Sequence, residues 1–209
     1  GHRQRDVGTL FHDVAELAYW RDYDDIDEWK TACRQLARSE DLPHALDPAL
    51  DCIDRYFETR ASEWEAVGAE VPIELTDVPD VDGAITGYVD SIRNCPDGGL
   101  AVVDYKTSHA RKTLAESHQL ELYVRACDRF EDEITHAGYV YVGEAGPETQ
   151  LFSADELAET WATLREDLRA ADDSSFDNYT PGPHCEYCPH RSLGCPTADF
   201  AYDDEFLVD

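Results

Sequence analysis

Asp90, Asp104 and Lys106 have the residue types and spacing for metal-assisted chemistry. The last two lie in an apolar run, Leu100-Ala101-Val102-Val103-Asp104-Tyr105-Lys106. Two carboxylates brought to one spot repel each other unless a divalent cation lies between them. A lysine beside such an ion can orient or deprotonate a water and steady developing negative charge. The plainer reading is an ion pair on the surface of a sheet. Lysine scarcity speaks against it: the chain has only Lys30, Lys106 and Lys112, and one of these is kept in an apolar strand. A second group is Cys185-x2-Cys188-x6-Cys195, which follows the break Pro181-Gly182-Pro183. Thiolates this close together suit iron or zinc.

These groups need elements to position them. Alternation marks strands at 71–75, 84–93 and 100–107, the last two joined by the turn Asn94-Cys95-Pro96-Asp97-Gly98-Gly99. A hairpin centred there pairs residues whose numbers sum to about 195, setting Asp90 opposite residue 105, give or take one. Alternation then places Asp104 and Lys106 on one face and Tyr105 on the other. Pro72 marks the first strand as an edge. Helical periodicity appears over 8–20, where Leu10, Val14, Leu17 and Ala18 share a face, and over 25–39, 46–67 and 112–130. Residues 137–143 and 148–152 read as strands, and the capping box Ser153-x-x-Glu156 opens a helix to about 171. The pattern predicts an α/β fold, a mixed sheet flanked by helices and decorated at both ends.

Composition bounds the rest. The 209 residues include 46 Asp+Glu against 17 Lys+Arg, a formal net charge of −29. With 42% hydrophobic and 11% aromatic content in periodic blocks, the chain is expected to fold. Acid spread over the whole length favours a halophile surface, screened by molar salt, over an acidic partner-binding patch. The chain opens Gly1-His2-Arg3 and holds no Met, which points to processing or to a piece of a longer protein. No apolar run approaches the ~18 residues that span a bilayer, and the opening shows no signal-peptide pattern. A cytoplasmic protein without a membrane partner is expected. Seven cysteines without a dense disulfide pattern agree with a reducing compartment.

Asp90 and Asp104-Tyr105-Lys106-Thr107, with Gly87 ahead of them, resemble the PD-(D/E)XK nuclease superfamily in its RecB-like branch. Gly8-x3-His12 resembles that branch's histidine motif, Glu70 the glutamate preceding its core hairpin, and Gln119-x3-Tyr123 its Q-x3-Y motif. Cys185, Cys188 and Cys195-Pro196 resemble half of the iron–sulfur staple of AddB-type and CRISPR-adaptation nucleases. The likeness runs from residue 8 to 196, departing at Ser108, where the family usually has Gly.

The resemblance implies a restriction-endonuclease-like core at 70–175, after an N-terminal helical region at 1–69 and before a cysteine-cluster segment and acidic tail at 176–209. It implies a metal-dependent deoxyribonuclease, exonuclease rather than endonuclease, acting in DNA repair or recombination. His12, Asp90, Asp104 and the Tyr105 backbone carbonyl would hold Mg2+ or Mn2+, and Lys106 would position the water. Gln119 and Tyr123 would contact the substrate backbone or brace the site. Other branches use a glutamate on the first helix, a part open to Glu16. The cysteines imply a [4Fe–4S] cluster whose fourth ligand lies upstream of this chain, since Cys33 falls on the wrong side of His12. Zinc, completed by His184 or His190, is the alternative. DNA is the implied partner, with a helicase domain or subunit beside it. Rival readings are a non-catalytic DNA-binding or subunit-bridging module and an acidic protein-interaction domain.

Overall fold

The computed structural model describes residues 2–76, 78–127 and 133–172. The chain runs α1 (His2–Arg21), α2 (Ile26–Ser39), α3 (Pro43–Phe57), a 3-10 turn (Arg60–Glu63), β1 (Ala66–Leu75), β2 (Ile85–Asn94) and β3 (Leu100–Lys106). It continues through a second 3-10 turn (Leu114–Glu116), α4 (His118–Ala126), β4 (Ile134–Tyr141), β5 (Glu148–Ser153), α5 (Ala154–Ala158) and α6 (Trp161–Asp172).

The strands form one sheet in the order β1-β2-β3-β4-β5. The β3–β4 pair is parallel and the others are antiparallel, so the sheet is mixed. Helices cover both faces, which makes this the expected restriction-endonuclease-like α/β fold. Pro72 lies on β1, an edge strand as its missing N–H requires. The central strand β3 is buried up to Tyr105, as a strand covered on both faces must be. Its Ala101, Val103 and Tyr105 pack under α1–α3, while Leu100 and Val102 pack under α4 and α5.

Local chemistry sets the element ends. Asp25 caps α2, its carboxylate accepting from the Asp27 N–H at 2.7 Å. Pro43 opens α3, where its fixed φ suits the first helical turn. The turn between β2 and β3 needs its glycines: Gly98 and Gly99 have φ of +95° and +73°.

Several elements open earlier than the sequence expectation, α1 at His2 rather than 8 and β1 at Ala66 rather than 71, and three further boundaries differ for local reasons. The third helix stops at Phe57 rather than 67, because the Thr59 hydroxyl donates to the Tyr56 carbonyl at 2.7 Å and turns the chain. The helix expected from 112 begins at His118, because Thr113 and Glu116 form a capping box on a 3-10 turn instead. The Ser153–Glu156 capping box does open a helix, but the helix ends at Ala158. There the Thr160 hydroxyl takes the Leu157 carbonyl at 2.8 Å, and α6 starts afresh.

Candidate active site

The hairpin register sets the site. The paired residues of β2 and β3 sum to 194, from Asn94–Leu100 to Ser91–Val103. The next pair would join Asp90 to Asp104, but pairing stops: β2 continues against β1 alone, and β3 against β4 alone. The sheet forks there. The β1–β2 ladder is interrupted at the same level, where Glu70 would pair with Asp90. Glu70 has φ +45°, a left-handed conformation that costs a non-glycine residue on the order of 1–3 kcal/mol. Three adjacent strands thus break regularity at one level, and each carries a carboxylate there.

Asp90 bridges the fork. Its Oδ2 accepts the Tyr105 N–H at 2.7 Å, taking a donor on the β3 edge that faces the fork. Its Oδ1 lies 3.5 Å from His12 Nδ1. His12 Nδ1 is also 4.0 Å from Glu70 Oε1. One ligand atom from each of His12, Glu70 and Asp90 lies within 4.8 Å of the other two. An imidazole nitrogen and two carboxylate oxygens suit a divalent cation that takes N and O ligands.

Glycine and packing bring α1 to this point. A Cβ on Gly8 would stand 3.3 Å from Thr107 Oγ1, so glycine lets the helix close on the end of β3. One turn on, the His12 ring meets the Tyr105 ring edge-to-face, centroids 5.9 Å apart. Gly143 holds β3 from the other side, its N–H donating to the Lys106 carbonyl at 3.3 Å.

Asp104 and Lys106 lie on the opposite face from Tyr105, as alternation requires. Asp104 is 3% exposed. Lys106 Nζ is 2.5 Å from Asp104 Oδ2, an ion pair on a buried carboxylate. The ammonium also stands 5.5 Å from the centre of the Tyr139 ring. Asp104 stands outside the trio of close ligand atoms formed by His12, Glu70 and Asp90.

The electrostatics follow from crowding. Burial, then the Asp90 charge, push the Asp104 carboxyl up to about 6, with Lys106 only partly offsetting them. Burial and Asp90 raise Glu70. Burial alone would lower His12, but Asp90, Asp104 and Glu70 together raise it. On α4, Gln119 Nε2 donates to Tyr123 Oη at 2.6 Å. Burial and the charges of Asp104 and Asp90 raise the Tyr123 hydroxyl, which places it beside the carboxylates. Glu16 adds to the negative potential at Glu70 without joining the close trio. Cys185, Cys188, Cys195, His184 and His190 lie outside the described residues.

Two features carried little signal in the residues themselves. Glu70 was marked by resemblance only, and its place among the ligand atoms depends on a φ that no periodicity signals. Arg93 is 6% exposed beneath the site. Its one sequence signal was an arginine inside a strand pattern, Ser91-Ile92-Arg93.

A mixed sheet, forked between an aspartate and an Asp-x-Lys strand and capped by a histidine-bearing helix, defines a restriction-endonuclease-like protein. The chain belongs to the PD-(D/E)XK nuclease superfamily, whose family model matches residues 1–196. Membership carries nuclease-type function and the use of divalent metal. No curated protein matches the chain. No described helix is long and apolar enough to cross a membrane.

Proposed function

We propose that the chain is a RecB-like, metal-dependent DNA exonuclease of repair or recombination, working beside a helicase domain or subunit. The observation that carries this reading is the convergence of His12, Glu70 and Asp90 at the fork that also presents Asp104 and Lys106. His12, Asp90, Asp104 and the Tyr105 carbonyl would hold Mg2+ or Mn2+, and Glu70, whose carboxylate lies close to His12 and Asp90, would join them. A divalent cation bound there supplies Lewis-acid stabilisation of the phosphate and a water acidic enough to attack. Lys106 positions that water and offsets charge on the phosphate. Its pairing with Asp104 and its place over the Tyr139 ring fix the ammonium in advance. Asp90 links the Tyr105 N–H to His12, which tethers α1 to the fork. Gln119 and Tyr123 contact the substrate backbone from α4.

The working unit combines the helical region at 1–69 with the core at 70–175, since α1 delivers His12 to the fork. The spacing of Cys185, Cys188 and Cys195 supports thiolate ligation of a [4Fe–4S] cluster in the segment 176–209. The acidic surface supports a halophilic, cytoplasmic setting, where molar salt shortens repulsion from DNA to ~3 Å.

The test is cleavage of labelled single- and double-stranded DNA with Mg2+ or Mn2+. Asp104→Ala and Lys106→Ala are expected to lower the rate by at least ~100-fold while circular dichroism stays native. Cleavage at the wild-type rate in both variants removes the assignment.

A further inference from the structure

A cavity of about 410 Å3 opens beside the His12–Glu70–Asp90 group and shares Asp90 with it. Along α1 it is bounded by Ala15, Ala18 and Tyr19, the turns that follow His12. Its remaining aromatic walls come from Tyr23, Trp29, Tyr56, Phe57, Trp64 and Tyr105. Trp29 and Tyr56 already stack on each other, centroids 4.7 Å apart, so these walls are preformed. Four carboxylates, Asp22, Asp24, Glu63 and Glu65, also line it.

Arg93 is built into the wall. Its guanidinium donates to the carbonyls of Ala61 and Trp64, at 3.1 and 2.7 Å, and to the Tyr105 hydroxyl at 2.9 Å. Its buried Nε–H has no acceptor. The cavity therefore offers aromatic surface for a flat ring and carboxylates that accept from amino or imino groups. The same carboxylates repel a phosphate. A neutral heteroaromatic ring suits the interior, with its phosphate left outside toward Asp90, where a divalent cation would be needed to hold it. The volume lies near the low end of the ~300–1,000 Å3 range of ligand pockets, room for one nucleoside rather than a stacked strand.

We propose that this cavity receives the base of the nucleotide flanking the scissile phosphate, unstacked from its neighbours. The proposal rests on the nuclease reading and sharpens it: the cut strand must be single-stranded or frayed at that nucleotide. Base–aromatic stacking tolerates any sequence, so cleavage is base-dependent without being sequence-specific.

The test has a binding arm and a cleavage arm. In a Trp20→Phe background, which removes an exposed tryptophan outside the cavity lining while keeping an aromatic ring against Tyr19, metal-free protein is titrated with deoxyadenosine monophosphate and with 2-deoxyribose 5-phosphate. Tryptophan fluorescence is expected to show the nucleotide binding roughly five- to a hundredfold more tightly, the contribution of one stacked base. Ala66→Phe, which fills the cavity from the start of β1, and Tyr19→Ala, which removes a wall, are each expected to erase the difference. Equal affinity for the two ligands in the parent protein overturns the proposal, whether or not the protein cuts DNA. In the cleavage arm, single-stranded DNA carries one abasic nucleotide. Slower cutting of the flanking phosphate, abolished as a difference in Ala66→Phe, supports the cavity. Uniform cutting by a protein that Asp104→Ala inactivates overturns the cavity and leaves the nuclease intact. Base-selective binding by a protein that cuts no nucleic acid overturns both the nuclease reading and this substrate assignment.

Discussion

Asp104, Glu70 and His12 all hold their protons more tightly in the folded chain than outside it. For the two acids burial comes first and Asp90 second; for His12 the carboxylates overcome burial. The stability these groups contribute is fully present below their ordinary values and is lost as pH rises through the raised ones. For Asp104 the window runs from 3.8 to about 6. Metal-free protein is therefore expected to lose stability across that window, and Asp104→Asn to flatten the loss. Urea unfolding at fixed salt, with chelator present, checks it; a slope unchanged by the substitution contradicts the placement. A divalent cation that binds only the folded state should restore stability above pH about 6. Glutamate roles separate by Mn2+ calorimetry. Glu70→Gln should weaken binding by roughly tenfold or more, whereas Glu16→Gln should change it little, because Glu16 stands outside the close trio. Comparable losses in both variants would place Glu16 among the ligands.

At the scale of elements, the site depends on how closely backbones meet at the end of β3. A Cβ on Gly143 would lie 2.1 Å from the Thr107 carbonyl oxygen, so backbone must shift. Gly143→Ala is expected to cost ~1–3 kcal/mol and to displace Lys106, whose carbonyl accepts from Gly143. Gly87 belongs to the same family pattern but is sterically different. Its Cβ would meet Ile73 at an ordinary 3.9 Å, so Gly87→Ala should leave stability nearly unchanged. Chemical denaturation of the two variants side by side decides; equal losses would show that the close approach at Thr107 is not what holds the strand end. Much of this level was readable beforehand. The Pro-Asp-Gly-Gly turn fixed the hairpin to within one residue, because a turn of known length sets register. The fork was not readable, because it comes from a side chain, Asp90, accepting a β3 N–H.

For the whole molecule, charge dominates. A net charge of −29 makes self-repulsion a large term, reduced only by screening. Melting temperature is expected to fall steadily from molar to dilute salt, and a salt-independent melt would dismiss the halophilic setting. All three lysines are engaged: Lys30 with Asp54 at 2.5 Å, Lys106 with Asp104, and Lys112 over the Tyr139 ring at 5.6 Å. None is left as a free surface cation, in keeping with a chain that has given up most of its lysine. The cysteine segment has its own test. Iron and acid-labile sulfide should accompany protein prepared without oxygen from the full-length gene product. Stoichiometric zinc without iron assigns the site to zinc, and freely alkylated native thiols at Cys185, Cys188 and Cys195 dispose of a metal there.

The sequence by itself determined the fold class, the edge position of β1, the shared face of Asp104 and Lys106, and the motifs that place the chain in its superfamily. Each depends on period, turn chemistry or residue type, which are local properties. Tertiary structure alone decided which ligand atoms meet. It brought His12 from α1 and Glu70 from β1 to Asp90, and left Asp104 to pair with Lys106 along β3. It also closed an aromatic cavity from residues spread between Ala15 and Tyr105. Those contacts arise where helices settle on a forked sheet, and the distances there depend on packing and on one left-handed glutamate, neither of which has a period to read.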